Sequence, residues 1–374
     1  MKKLRLLPIL LIFFLLCGCL KTNILEEQSI VLALGYDAKE NNNYQVTAAF
    51  IESARDNKDA YHSISVEAET SRSGRRKMNQ MLTNEIATGQ TRVILLNKNN
   101  FKLNMLNEID VLTRDPFFGD MIKIAIVDGT AQDLLTYPYK NIKVNIWSLL
   151  EQNEKLSWVP SMTLHDFTFG RDKNILEQAI PILKREEEEI KLTSLALLHN
   201  NKIVGEAQPR EGFFLKTLRG TDTPFIYEAI IKKEEMIASG MDHYVENVGD
   251  EVKIVIKVIK SDGKVKLTDP DLKKFDALID IDVNIEEVSE RYKFNEPGAI
   301  KALEKQLDIK LTQDLQQFLD KLREVNSDCV GFGEKYRSQV RNSKQVIEQW
   351  GDIFPNTMLT GHVKIDMIRT GIIE

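Results

Sequence analysis

Alternating apolar and polar positions predict antiparallel strands at both ends of the chain. Residues 29–37 and 44–51 form two such runs, and the polar turn between them favours a hairpin. In the carboxy-terminal half, residues 252–258 and 277–285 alternate along their length. The second of these runs is polar on one face except at Leu278, so we expect an antiparallel sheet with one face in water.

A long apolar stripe at helical spacing follows those carboxy-terminal strands. Its members recur at steps of three and four residues, namely Ile300, Leu303, Leu307, Leu311, Leu315, Phe318 and Leu322. The stripe predicts a helix of about six turns that Pro297 opens at its first turn. A second helix over 334–350 and a last strand over 359–368, antiparallel to the others, complete an α+β layer with the helices on one face of the sheet.

The middle of the chain alternates between shorter elements. Strands are predicted over 61–67, 92–96, 121–127, 190–198 and 203–206. Helices are predicted over 71–85, 103–112, 131–135 and 209–218. Periodicity is weaker between residues 140 and 180, and we place a domain boundary near residue 208.

The first twenty residues carry the most specific signal in the sequence. Lys2, Lys3 and Arg5 precede the apolar run 6–16, which is typical of a secretory signal peptide. Leu16-Cys17-Gly18-Cys19 then resembles the lipobox of bacterial lipoproteins, in which the cysteine sulfur receives a diacylglyceryl group. The sequence therefore predicts cleavage after residue 18 and lipidation of Cys19. The alternative is an uncleaved transmembrane anchor, but the apolar run is shorter than the ~20 residues that a spanning helix needs.

Charge and cysteine content limit the classes of function. The 374 residues include 50 Lys+Arg and 56 Asp+Glu, a formal net charge of −6. Loss of residues 1–18 leaves 47 basic against 56 acidic residues, a formal −9. Such acidity argues against a nucleic acid as partner, because binding phosphates requires a basic surface. Cys329 is then the remaining thiol besides Cys19, and a lone cysteine is most often a small buried residue.

Motifs for catalysis, metal binding or cofactor binding are few and weak. The five histidines are isolated, and no zinc, nucleophile-elbow or phosphate-loop motif occurs. Gly331-Phe332-Gly333 lacks the third glycine of a dinucleotide loop and is better explained as a turn between helices. The acidic run 186–189, taken as part of a strand, is a solvated surface rather than a calcium site. The basic cluster 72–77 either meets lipid headgroups or an acidic partner, or is a solvent-facing helix start. We predict no catalytic residue, metal or cofactor.

Four segments in order resemble the Ger(x)C family, the lipoprotein C subunits of spore-germination nutrient receptors. They are the opening strands 26–51, the segment 112–135 with its Arg-Asp-Pro, the linker Pro209-Arg210-Glu211-Gly212, and the closing group CVGFGE (329–334), WGDIFP (350–355) and VKIDMIRTG (363–371). The chain departs from the family directly after Cys19, where an aromatic and charged run is often found and Leu20-Lys21-Thr22-Asn23 stands here.

The resemblance implies a three-domain α+β fold with mixed or antiparallel sheets. After the signal peptide (1–18), residues 28–67 with 181–207 would form domain 1. Residues 69–175 would form domain 2, and 209–374 domain 3, an antiparallel sheet covered by two helices.

The resemblance also implies a function without catalysis. The protein would be tethered through Cys19 to the outer face of the spore inner membrane. There it would assemble with a polytopic A-type subunit and a membrane-embedded B-type subunit, and nutrient binding to that receptor would trigger germination.

Two other classes remain open from the residues alone. A solute-binding lipoprotein of a transporter is the main alternative, although its two lobes usually contain parallel strands around a cleft. A cell-wall hydrolase would need paired carboxylates or a metal site, and the sequence shows neither.

Overall fold

The chain forms an α+β structure, as the sequence predicts, and this structure is built on two sheets. The computed structural model describes residues 28–54, 57–138, 146–173, 176–221, 224–246 and 249–369. Cys19 and the rest of the predicted signal and lipidation segment lie outside these residues.

The amino-terminal sheet has nine strands within the described ranges, in the order β3-β2-β1-β5-β6-β7-β8-β9, with β4 also pairing with β1. Its strands are β1 (Gln28–Ala38), β2 (Tyr44–Ala54), β3 (Asn57–Ala68), β4 (Glu85–Ala87), β5 (Val93–Asn97), β6 (Lys123–Val127), β7 (Ala179–Glu186), β8 (Glu189–His199) and β9 (Lys202–Ala207).

Both kinds of strand pairing occur in this sheet. The hairpins β1–β2, β2–β3, β7–β8 and β8–β9 are antiparallel, whereas the central pairs β1–β5, β5–β6 and β6–β7 are parallel. The predicted hairpin of the first two strands is confirmed. The acidic run is not one strand, because Glu187 and Glu188 form the turn between β7 and β8, and Glu187 has a φ of +53°.

Six helices accompany the amino-terminal sheet in the described part of the chain. They are α1 (Ser71–Asn79), α2 (Lys98–Lys102), α3 (Asn107–Arg114), α4 (Ala131–Thr136), α5 (Ile146–Lys155) and α6 (Leu164–Lys173). The predicted helix over 71–85 ends early, and its last residue enters β4. The predicted helix over 103–112 starts at Asn107, because Asn104 takes a left-handed φ of +52° in the turn after α2.

The carboxy-terminal sheet has the order β10-β11-β12-β13 in the described residues. These strands are β10 (Phe225–Lys232), β11 (Glu251–Asp269), β12 (Lys274–Val288) and β13 (Met358–Arg369). The first two pairs are antiparallel, but β13 is parallel to β12, so the predicted antiparallel orientation of the last strand is wrong. The segment between them crosses the sheet through a long helix and returns the chain to the end where β12 begins.

The helices of this half are α7 (Pro209–Leu218), α8 (Lys233–Ser239), α9 (Ala299–Glu324), α10 (Phe332–Gln339), α11 (Lys344–Glu348) and α12 (Trp350–Ile353). Helix α9 starts after Gly298, whose φ is +89°, and not at Pro297. Its predicted stripe is fully buried except at Ile300, which is 39% exposed. The second predicted helix is three short helices, because the chain turns at Val340 and Gln349.

One core joins the two sheets. Ala179, Leu195 and Ala207 of the amino-terminal sheet belong to the same apolar cluster as the stripe of α9 and the inner face of the carboxy-terminal sheet. Strands from the ranges expected for domains 1 and 2 share one continuous sheet. The division into three domains stays a prediction.

Candidate functional site

Among the described residues, no three His, Cys, Asp or Glu side chains come together as a metal site. Within the same ranges, no helix has both the length and the apolar character that crossing a bilayer requires. Cys19, the predicted lipidation site, has no described position. The candidate site is therefore sought where the two sheets meet.

Asp328 organises the turn between α9 and α10. Its buried carboxylate accepts backbone N–H bonds from Gly331 (2.8 Å), Phe332 (2.9 Å) and Gly333 (2.7 Å), and a fourth bond from Trp350 Nε1 (2.8 Å). Burial raises the pKa of Asp328, and the donated hydrogen bonds oppose that rise. Gly331 has a φ of +99°, which confirms the interpretation of this glycine pair as a turn between helices.

Cys329 and Arg219 connect this turn to the end of α7. Arg219 Nε donates to the Cys329 carbonyl oxygen at 2.7 Å, and a second guanidinium nitrogen bonds the same oxygen. Burial raises the pKa of the Cys329 thiol to about 12. This cysteine is therefore a small buried residue and an unreactive thiol, as the sequence suggests.

A second set of bonds ties the same turn to strand β8. Ser327 Oγ donates to the Leu198 carbonyl at 2.6 Å, and the Glu177 N–H donates to the Asp328 carbonyl at 3.1 Å. His199 Nδ1 lies 3.0 Å from Glu177, whose pKa is raised by burial. We call the residues from Ser327 to Gly333, with Arg219 and Trp350, the junction cluster. It locks the amino-terminal sheet to the carboxy-terminal helices.

A groove lies beside β10, the edge strand of the carboxy-terminal sheet. Its volume is about 510 Å³, and it is lined mainly by Trp158, by Pro209 and Arg210 of α7, by residues of β10, and by Lys310 and Asp314 of α9. Trp158 is 39% exposed there. Such a volume falls within the range of small-molecule sites.

Polar side chains are fixed on the groove floor. Tyr227 Oη donates to Asp314, and Lys310 Nζ lies 3.1 Å from the other carboxylate oxygen of Asp314. Burial, followed by the neighbouring Asp314 charge, raises the pKa of Tyr227. The groove presents a phenol, a carboxylate and an ammonium group between aromatic walls, which suits binding of a polar molecule.

The basic cluster at residues 72–77 lies on helix α1, and some of its side chains hold neighbouring segments in place. Arg75 forms an ion pair with Asp115 at 2.6 Å and lies over the Phe118 ring. Lys77 Nζ donates to the Glu67 carbonyl at 2.7 Å. Arg72 and Arg76 are exposed. Two of the basic side chains, Arg75 and Lys77, thus bond to neighbouring segments, whereas Arg72 and Arg76 face water.

Sequence reasoning missed both the junction cluster and the groove. The junction had a local signal, an aspartate followed by closely spaced glycines before a helix, which is typical of a carboxylate that caps backbone N–H groups. The groove had none, because its walls come from three stretches far apart in the chain: Trp158, residues 209–235 and residues 310–314.

Comparison with known proteins identifies the class. Residues 21–185 match the family model for the spore germination protein N-terminal domain, and residues 193–371 match the model described as spore germination B3/GerAC like, C-terminal. The chain is 24% identical over 382 residues to the spore germination protein GerQC of Bacillus cereus, covering all of both chains. Its fold is similar to the crystal structure of the GerBC protein, with a TM-score of 0.56 and 17% identity over 90% of this chain and 96% of that one.

The two-part α+β fold is therefore that of a spore germination protein. More specifically, the chain belongs to the Ger(x)C family of germinant receptor C subunits.

Proposed function

We propose that this protein is a lipid-anchored subunit of a spore nutrient receptor, held through Cys19 on the outer face of the spore inner membrane. It assembles there with a polytopic A-type subunit and a membrane-embedded B-type subunit. Nutrient binding to the assembled receptor triggers germination.

One observation carries this proposal: the two germination-family models together span both sheets and the junction between them. The likeness therefore extends to the whole architecture and not to one borrowed domain. It supports a role in the same kind of receptor.

A lipid anchor agrees with the physical chemistry of the sequence. Each methylene buried in a bilayer contributes ~0.8 kcal/mol, so two acyl chains on Cys19 hold the protein stably where one would be marginal. The remaining chain then works by contact with its partners, without making or breaking bonds.

The decisive variant is Cys19→Ala, produced in spores from its own promoter. We expect a folded protein that leaves the membrane fraction, together with delayed or absent nutrient-triggered germination. Cys329→Ala is the matched control, because it removes the other cysteine of the mature chain and keeps the anchor. A fully delocalised Cys19→Ala protein that supports germination at the normal rate would refute the proposal.

The absence of catalysis is tested separately. Purified protein incubated with spore cortex and cell-wall peptidoglycan should release no soluble fragments. Steady release that depends on protein concentration would contradict this expectation and revive the cell-wall hydrolase as an alternative.

The groove beside β10 favours one second function, that of a solute-binding lipoprotein of a transporter. Calorimetry against amino acids and sugars tests it, with Trp158→Ala as the variant that removes a groove wall. Micromolar or tighter binding that Trp158→Ala weakens would support solute binding. No heat of binding with either protein would leave the receptor subunit as the function.

A further inference from the structure

At one end of its central strands, the amino-terminal sheet brings together the first described residue and two loops. Gln28 begins β1 and pairs with Glu85, which begins β4. Residues 80–92 and 114–122 lead into the parallel strands β5 and β6 at the same end. We call this end of the sheet the amino edge. Arg75 ties its loops together, because it bonds Thr88 Oγ1 at 3.3 Å and Asp115 at 2.6 Å.

Three large apolar side chains on the amino edge point into water. Met121 is 77% exposed, Phe117 is 68% exposed and Met81 is 66% exposed. These are the three highest exposures among the large apolar side chains of the described residues. Their presence on one edge is more informative than scattered exposed apolar residues, which are common.

The loop that carries Phe117 and Met121 is firmly held from below. Phe118 and Ile122, which directly follow Phe117 and Met121, are buried in the core. The Phe117 N–H donates to Asp115 Oδ1 at 3.1 Å, and the Ile122 carbonyl accepts from Leu164 at 2.8 Å. The two side chains are therefore displayed by a fixed backbone, and the exposed apolar surface is part of the fold.

Charge at the amino edge differs from charge over the molecule. Within the segments that define the amino edge, the exposed basic residues are Arg92 and Arg114, and the exposed carboxylates are Glu85 and Asp120. The edge is therefore locally balanced, whereas the chain without its signal peptide carries a formal −9. An anionic membrane repels such a balanced surface less than it repels an acidic one.

The length of chain between the anchor and the fold identifies the occupant of this surface. Eight residues lie between Cys19 and Gln28, so Gln28 is nine residue steps from the anchor, and a fully extended chain spans at most ~3.3–3.6 Å per residue. If Cys19 is lipidated, Gln28 cannot lie farther than roughly 30 Å from the bilayer surface. A lipid surface is the apolar partner that the anchor itself brings within reach of this edge.

We infer that the amino edge rests on the bilayer, with Phe117 and Met121 inserted at the level of the lipid headgroups. The inference depends on the anchor at Cys19 under the proposed function. It adds an orientation: the strands that begin at the amino edge run away from the membrane. The lipid anchor and the amino edge then both bind the same bilayer surface.

Depth measurement by site-directed spin labelling tests the inference on the acylated full chain. Phe117→Cys and Met121→Cys are labelled with a nitroxide, and each protein is reconstituted in vesicles of phosphatidylglycerol and phosphatidylethanolamine. Labelling is selective, because the Cys19 sulfur is a thioether and the Cys329 thiol is buried. We expect both labels to collide more with oxygen and less with a water-soluble nickel complex on membrane binding. Ile226→Cys, an exposed apolar position on the other sheet, is the matched control and should not change.

The outcomes separate this inference from the anchor on which it depends. Protein that floats with the vesicles while its labels at 117 and 121 stay as accessible to nickel as the label at 226 would overturn the orientation and leave the anchor intact. Protein that does not float at all would overturn both.

A second measurement removes the anchor and keeps the edge. Cys19→Ala protein should bind the same vesicles weakly, and Phe117→Ser together with Met121→Ser should lower that partition by at least tenfold. Equal partition with and without the two serines would contradict the inference.

Discussion

Removal of the Asp328 carboxylate should weaken the whole junction cluster. Asp328→Ala leaves the N–H groups of Gly331, Phe332 and Gly333 and the indole N–H of Trp350 without their acceptor. Each hydrogen bond to a charged group contributes about 1.5–3 kcal/mol, and the contributions of neighbouring bonds do not add in full. Water entering the vacated space restores part of the loss, so we expect unfolding to become easier by about 3–5 kcal/mol.

The amide variant should fall between the alanine variant and the native protein. One oxygen of Asp328 accepts from Gly331 and Phe332, and the other accepts from Gly333 and Trp350. Asp328→Asn keeps one acceptor oxygen and turns an amide N–H₂ towards the other pair of donors. We expect about half of the loss seen with alanine, since one donor pair keeps its partner.

Equilibrium unfolding in urea, followed by tryptophan fluorescence and far-UV circular dichroism, measures both variants. Asp352→Ala is the matched control: it removes an exposed carboxylate from the same segment and should change the free energy of unfolding by less than about 0.5 kcal/mol. An Asp328→Ala protein within about 1 kcal/mol of the native protein would show that the carboxylate does not hold the junction.

Three further predictions follow from single positions. A Cβ at Gly263 would overlap a backbone oxygen of helix α7, so Gly263→Ala should lower the free energy of unfolding, measured in urea, by about 1–3 kcal/mol. A Cβ at Gly119 meets nothing within 4 Å, so Gly119→Ala should leave the stability unchanged, and equal stabilities of the two variants would contradict the prediction. The Cys329 thiol, with its pKa raised to about 12 by burial, should resist a disulfide reagent at pH 8 until the protein unfolds, and rapid labelling of native protein would contradict its burial. The hydrogen bond from Lys39 lowers the pKa of Glu67 from 4.5 to about 2 in the folded protein. The stabilisation by the Glu67 carboxylate is therefore complete above pH 4.5 and is lost as the pH falls towards 2. The urea midpoints of the native protein and of Glu67→Gln should converge over that range, and a constant difference between them would contradict the prediction.

Local periodicity was enough to predict most of the elements but not their relative directions. The stripe of α9 and the alternation of β11 and β12 each reflect burial of one face, which a linear sequence records directly. Whether β13 runs parallel or antiparallel to β12 leaves no trace in the alternation, because a strand pattern reads the same in both directions. Its direction depends on how α9 crosses the sheet.

Errors at element boundaries have similarly local causes. Asn104 and Glu187 both take left-handed backbone conformations that end an otherwise regular pattern. Asparagine tolerates this conformation, but glutamate has no such preference, so the sequence could not indicate that the acidic run turns there.

The candidate site was predictable only where its residues are neighbours in the chain. The turn at Gly331 followed from the glycine itself, and the burial of Cys329 from its isolation in the sequence. The partners Arg219 and Trp350 come from other elements, and nothing in the sequence links them to Asp328. The groove likewise combines stretches of the chain that local sequence patterns do not connect.

The parallel pairing of β13 has a consequence for how the protein is made. This strand contains residues 358–369 and is the last described element, yet it covers the free side of β12. It also accepts a hydrogen bond from the Gln316 side chain of α9 at the Leu359 carbonyl and donates one to the same side chain from the Gly361 N–H. During synthesis the apolar stripe of α9 emerges before the strand that shields it. The carboxy-terminal half therefore cannot complete its core before β13 has been synthesised, and a nascent chain that stops before Met358 would leave an exposed apolar helix face and an unpaired strand edge for chaperones or proteases to recognise.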